Sequence, residues 1–317
     1  MLDILAVTTP IFLLIALGYG AVRLGYFEAV WLRPLGAFVI RVALPVLMFK
    51  SVSQRSFAEV LNLRYLAAYA LGSLATLALG LAWARLVRHQ PREAVAVQGL
   101  GMSVSNSAFI GYPIVHLLLG AVATLALALG MLVENLIMLP ICLALADSTS
   151  SRHERFSVAF LRSLAGLRSN PLVLAIFLGL ACSALAVPLP GPVLKAIDLM
   201  AAGSPPAALF CIGGSLVGLP LRDMLADVGA VNAGKLLLHP LLVAGALLLL
   251  LPAGGPLAVA GVLMASMPMM SIYPIIGQQH GQQGFCAAAL LAATVGSFFT
   301  VAATIWVLQV SGLFLGH

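Results

Sequence analysis

Ser105-Asn106-Ser107-Ala108-Phe109-Ile110-Gly111-Tyr112-Pro113 and, 161 residues later, Ser266-Met267-Pro268-Met269-Met270-Ser271-Ile272-Tyr273-Pro274 are two proline-broken stretches that match each other. Each interrupts an apolar segment with hydroxyls, amides and helix breakers. Inside a bilayer, a broken helix frees backbone N–H and C=O groups that water cannot satisfy. Such a break persists only where it is packed in protein or lines a wet cavity. Two of them, in corresponding places of two halves, point to the binding site of a secondary transporter.

The rest of the chain places those breaks in a membrane. Of 317 residues, 62% are hydrophobic and 8% charged, with a mean hydropathy of +1.10. Soluble domains carry roughly 25% charged residues, so a soluble fold is excluded. Residues 10–22, 65–86 and 240–251 are long or nearly charge-free runs, and a helix crossing the hydrocarbon needs about 20 apolar residues. Ten spans are expected, at 3–23, 33–51, 64–87, 94–117, 120–146, 170–187, 193–219, 230–251, 256–279 and 284–311. The fourth and ninth hold the breaks. The first lacks a basic leader and a small-residue cleavage site, so it reads as a retained span rather than a signal peptide. Residues 147–170 form the longest polar connection, with Phe156, Phe160, Leu161, Leu164 and Leu167 at roughly helical spacing. A short interfacial helix and a plain solvated linker both fit.

Charge fixes the expected orientation. The net charge is +6, yet the basic residues lie in loops rather than on a soluble face, so nucleic acid is not the partner. Odd-numbered loops carry Arg23, Arg33, Arg85, Arg88, Arg92, Arg152, Arg155, Arg162, Arg168 and Arg222. Even-numbered loops carry only Lys50, Arg55, Arg64 and Lys195. This bias places the odd loops in the cytoplasm and both termini outside, in a bacterial inner membrane. Cys142, Cys182, Cys211 and Cys286 all fall inside spans, without a CxxC. They read as inert buried thiols, not as a disulfide or metal framework.

A 161-residue shift aligns the punctuation without a gap. Pro10 meets Pro171, Gly18 meets Gly179, Pro45 meets Pro206, Phe49 meets Phe210, Tyr112 meets Tyr273, Pro113 meets Pro274 and Gly120 meets Gly281. Prolines number only 18, so four in one register are informative where Leu and Ala matches are not. Each half then holds five spans, and an odd number reverses the second half. The expected fold is an all-α membrane protein of two inverted five-helix repeats, 1–146 and 170–317, joined by a cytoplasmic linker at 147–169.

The breaks carry the chemistry. A half-helix N-terminus offers unpaired N–H groups and partial positive charge, a seat for an anion. Asn106 adds an amide, Ser105, Ser107, Ser266 and Ser271 add hydroxyls, and Tyr112 and Tyr273 add phenols. Gly111, Pro113, Pro268 and Pro274 mark the helix breaks. Asn106, Ser105, Ser107, Tyr112, Ser271 and Tyr273 are therefore the expected substrate contacts. The halves are unequal, because Met267 stands where Asn106 has its equivalent. Asn106 should bear most polar recognition. A lone membrane Ser often bonds to its own helix and a lone Pro often only kinks one, so the repeated combination carries the reading.

Ionisable residues inside spans are functional candidates by default. Glu134 is the acid deep in a span, and Lys235 and His239 share a helix face four residues apart. These three are the coupling candidates, set against a structural hydrogen-bonded acid and histidine and a snorkelling lysine. Arg41 and Lys50 also fit snorkelling. Gln278 and Gln279 could line an exit path. No G-x-S-x-G, HExxH or P-loop is present, so neither an enzyme nor a bound cofactor is expected. Gly214 and Gly218 form a small-xxx-small pair that a homodimer could use.

The chain resembles the auxin efflux carrier family over nearly its whole length. Asn106 with Gly111-Tyr112-Pro113 resembles that family's fourth-helix crossover, and Leu44-Pro45 with Phe49 its second helix. Asn170-Pro171 through Gly179, Pro206 through Phe210 with Gly213 and Gly214, Lys235 with Pro240, Met267-Pro268, and the Ser/Thr-rich residues 294–304 resemble the start of its second half and its seventh to tenth helices. The resemblance implies a carrier of organic anions, such as a malate-like dicarboxylate or an auxin-like acid, of the short prokaryotic type. The chain departs from plant members in having no Asp or Glu in residues 65–86. Two alternatives stay open: a sodium-coupled symporter of the bile-acid kind, and a non-transporting receptor on the same fold.

Overall fold

A computed structural model describes residues 2–54, 62–149, 156–218, 225–251 and 254–312. Among these residues helix is the regular secondary structure, without a strand. The helices are α1 (Leu2–Arg23), α2 (Ala29–Ser53), α3 (Leu63–Val87), α4 (Arg92–Ser103), α5 (Ser107–Leu119), α6 (Val122–Asp147), α7 (Phe156–Ser169), α8 (Pro171–Ala184), α9 (Gly191–Ser215), α10 (Ala226–Leu250), α11 (Pro256–Ala265), α12 (Tyr273–Gln279) and α13 (Gln283–Ser311). Arg55, Arg152, Arg155 and Arg222 of the charge count lie outside the described residues.

Among the described residues, six helices, α2, α3, α6, α9, α10 and α13, are long and apolar enough to cross a membrane. A seventh span results if α7 and α8, bent by 62° at their junction, count as one. The protein is thus an integral membrane protein. The expected spans 94–117 and 256–279 are each a pair of short helices, α4 with α5 and α11 with α12. None of the four reaches the length that a straight crossing needs. The polar connection carries a helix, α7, with Phe160, Leu164 and Leu167 partly buried and Phe156 and Leu161 exposed.

Local chemistry sets the ends. Asn62 caps α3 by accepting from the Tyr65 N–H at 3.0 Å. Asn170 caps α8 by accepting from Leu172 N–H at 3.0 Å, with Pro171 at the first turn. Among the described residues five π-helical turns occur within helices, and four of them end two residues before a proline: residues 39–43 before Pro45, 107–111 before Pro113, 134–138 before Pro140 and 234–238 before Pro240. A proline lacks the N–H and crowds the preceding turn, so the helix widens there instead of stopping. Pro113 therefore lies inside a continuous α5. The first break is at residues 104–106, well before it, whereas the second runs through residues 266–272 and contains Pro268.

The 161-residue register reappears in the architecture. Shifted by that amount, α2 falls on α9 to within a residue, α3 on α10 to within two, and the start of α6 on that of α13. Gly25 and Ala186, in register, both have positive φ (78° and 47°), as do Gly120 and Gly281 (60° and 69°). The packing repeats too. A Cβ at Gly18 would collide with the Phe210 carbonyl, and one at the equivalent Gly179 would touch the carbonyl of Phe49, the equivalent of Phe210. So α1 lies against α9 as α8 lies against the C-terminal part of α2, while α3 packs on its own counterpart α10. The face of this bundle left outside is greasy, with Leu13, Leu71, Leu178, Leu249, Val295 and Phe299 exposed. Gly214 packs inward on Val22 and Leu32.

Candidate functional site

The two breaks cross. Residues 104–106 and 266–272 run past each other antiparallel, bridged between Ser105 and Met269, and the Asn106 N–H donates to the Pro268 carbonyl at 2.8 Å. Gly111 allows this approach, since a Cβ there would press on Met264 and Met267. Backbone groups freed by one break are thus satisfied in part by the other, which meets the demand that a membrane interior makes of irregular chain.

Three consecutive residues, the last two of the first break and the first of α5, reach three different elements. Ser105 Oγ accepts from Lys235 Nζ of α10 at 2.8 Å. Asn106 Nδ2 donates to Ser271 Oγ of the second break at 2.7 Å. Ser107 Oγ donates to Glu134 Oε1 of α6 at 2.7 Å. Glu134 also accepts from Tyr69 OH of α3 at 3.3 Å. Lys235 donates further to His239 Nδ1 at 2.8 Å and to the Ala265 carbonyl at 2.7 Å. His239 Nε2 lies 2.9 Å from Ser73 Oγ. Glu134 and Lys235 occupy π-helical turns, where the widened helix turns a polar side chain inward.

Ser105, Asn106, Ser107, Glu134 and Ser271 line one cavity of about 420 Å³, with Asn135 and Asn170 beside them. The volume lies in the usual range for small-molecule sites, roughly 300–1,000 Å³. Helix α5 begins at its edge, and the first N–H groups of a helix have no intrahelical acceptor. Asn106 keeps its carbonyl oxygen and Ser271 its proton for a guest, since the bond they share uses neither. Asn170 Nδ2 donates to Asn135 Oδ1 at 3.3 Å, closing the wall towards α8.

The two tyrosines go elsewhere. Tyr112 lines a second cavity, of about 740 Å³, on the other side of α5, and stacks on His116 at 5.2 Å. Tyr273 is fully buried and donates to the Val97 carbonyl at 3.0 Å. Pro113 also faces the second cavity, whose far wall holds a Lys50–Asp198 ion pair at 2.6 Å. Pro268 shapes the second break, and Pro274 sits in the first turn of α12. Lys235 does not snorkel: it and His239 are fully buried. Ser266 turns back on its own helix, donating to Val262 O at 2.8 Å. The sequence reading missed Tyr69, Ser73 and the Ala265 carbonyl. Tyr69 and Ser73 share a helix face four residues apart, a faint signal; a carbonyl has none. Among the described residues no cluster of His, Cys, Asp and Glu fits a metal ion.

A family model described as "Membrane transport protein" matches residues 4–307. A protein of Rhizobium meliloti (strain 1021), named "Putative malonate transporter", is 29% identical over 318 residues, covering 99% of this chain and 98% of its own.

Proposed function

Because the chain belongs to the membrane transport protein family, that of the auxin efflux carriers, we propose that this membrane transporter carries a small dicarboxylate of the malonate kind by alternating access. The observation that carries this reading is the cavity at the crossing. It gathers the Asn106 amide, the hydroxyls of Ser105, Ser107 and Ser271 and a helix N-terminus around one acid, Glu134. An organic anion needs donors without full buried charge, and hydroxyls, an amide and a helix dipole supply them. The name of the relative favours malonate among such anions.

Ten crossings, with α4–α5 and α11–α12 as the broken fourth and ninth, give this chain two inverted halves at 1–146 and 170–317. The swapped glycine contacts and the repeated positive-φ positions support that arrangement, because a two-fold relation makes each inter-half contact occur twice. The charge bias puts α7 and the 420 Å³ cavity towards the cytoplasm and the Lys50–Asp198 cavity towards the outside. Each cavity then serves as the half-path of one state, with the first turns of α5 as the barrier between them. Glu134 is the group that takes up and gives back a proton.

Uptake of labelled malonate into proteoliposomes tests the site. Asn106→Ala should lower uptake about 100-fold, the loss of roughly 2.7 kcal/mol from a recognition contact in a dry site, while the melting temperature stays within a few degrees. Near-normal uptake by that variant refutes the site.

A further inference from the structure

Lys235 has an arrangement that neither snorkelling nor substrate binding explains. Its side chain is wholly shut off from solvent. A lysine ammonium has three protons and no acceptor, and all three are engaged: on Ser105 Oγ at 2.8 Å, on Ala265 O at 2.7 Å and on His239 Nδ1 at 2.8 Å. With Lys235 as the ammonium, His239 accepts at Nδ1, and its own proton then belongs on Nε2, facing Ser73 Oγ. No proton of Lys235 remains for a substrate.

The three acceptors come from separate elements. Ser105 belongs to the first break, Ala265 O ends the half-helix α11 at the second, and His239 continues α10. A carbonyl at a helix C-terminus carries partial negative charge and seeks a cation. In the wet crossings of secondary transporters, unwound carbonyls and half-helix C-termini are where a coupling cation coordinates. Here that position is filled by a charge attached to the chain.

We infer that the Lys235 ammonium is a tethered monovalent cation that replaces a dissociable ion at the crossing. It joins the two breaks, so the anion site is complete without sodium. The positive charge stays on the protein through the cycle, and Ser105 and Ser107 hold it and the Glu134 carboxyl on either side of Asn106. This deepens the proposed function, since it states what the anion site requires in order to bind.

The test has an arm that needs no substrate. Melting of the purified wild-type protein in sodium, potassium or choline chloride should be the same within about 1–2 °C, and malonate flux should be equal in all three salts. A saturable stabilisation by sodium alone, or flux that fails in choline, overturns the inference. Lys235→Ala should lower malonate binding at least 20-fold and lower the melting temperature. Ethylammonium or sodium should restore both saturably in Lys235→Ala and in neither case affect the wild type. Retention of binding within twofold, or loss that no small cation restores, overturns it in favour of simple packing. If Lys235→Ala does not fold, the wild-type salt series still decides. If the wild type moves no malonate in any salt, the functional reading fails while the melting series continues to judge the cation.

Discussion

Asn106 sits at the one point where the proposed recognition and the architecture meet. Its backbone N–H ties the two breaks together, and its side chain bridges to Ser271 across the cavity. The motif was legible in the sequence because polar residues inside an apolar run are rare. Its partners were not, because Ser271 is 165 residues away and Lys235 is 130 residues from Ser105. Glu134 presents a separable question. Glu134→Gln keeps an oxygen to accept from Ser107 and Tyr69 but removes the ionisable group. The variant should fold and bind malonate within a few-fold of wild type, while the pH dependence of its transport flattens across pH 5–8. An unaltered pH profile of malonate uptake removes Glu134 as the proton carrier.

At the scale of elements, the glycines that let helices touch are as decisive as the breaks. Gly213 faces the Ile15 carbonyl of α1 and Gly18 faces the Phe210 carbonyl of α9, so the two helices approach backbone to backbone. Interfaces of this kind suit a bilayer, where tight packing rather than water exclusion drives association. Gly213→Ala should destabilise the protein by about 1–3 kcal/mol, the range for overpacking. Gly245→Ala, where a Cβ meets nothing within 4 Å, should be neutral or slightly stabilising. Thermal melting in detergent measures both, and equal melting of the two variants would refute the close approach. The π-helical turns belong to this scale as well. The prolines that follow four of them are visible in the sequence, but which way the widened turn faces is a matter of packing.

At the scale of the whole molecule, two cavities flank α5, and the proposed cycle opens them in turn. Lys50 of α2 and Asp198 of α9 meet across the larger one. Both are partly exposed, and an exposed pair contributes about 0–1 kcal/mol, weak enough to part in each cycle. Cysteines at both positions, in a background lacking Cys142, Cys182, Cys211 and Cys286, should abolish malonate exchange when joined by a short thiol cross-linker. Reduction of a cleavable linker should restore it. Binding from the smaller cavity should survive the cross-link, as read by thermal shift. Continued exchange in the joined protein would show that the two elements do not separate during transport.

Composition alone placed this chain in a membrane, since no soluble core can be built from a sequence so poor in charge. The recurrence of Pro, Gly and Tyr at a spacing of 161 located both interruptions and the correspondence of the helices, because these residues constrain the backbone wherever they occur. Tertiary structure decided what the interruptions hold. Tyr112 and Tyr273 have the same local motif, yet one lines the larger cavity and the other is sealed against α4, because the second break is a longer irregular stretch than the first. Lys235 reads from the sequence as a snorkelling or coupling residue beside His239; the fold adds the Ser105 hydroxyl and the Ala265 carbonyl, 130 and 30 residues away. Backbone constraint is local and can be read along a sequence; the partners of a buried charge are set by contacts between segments far apart, and only the folded chain assembles them.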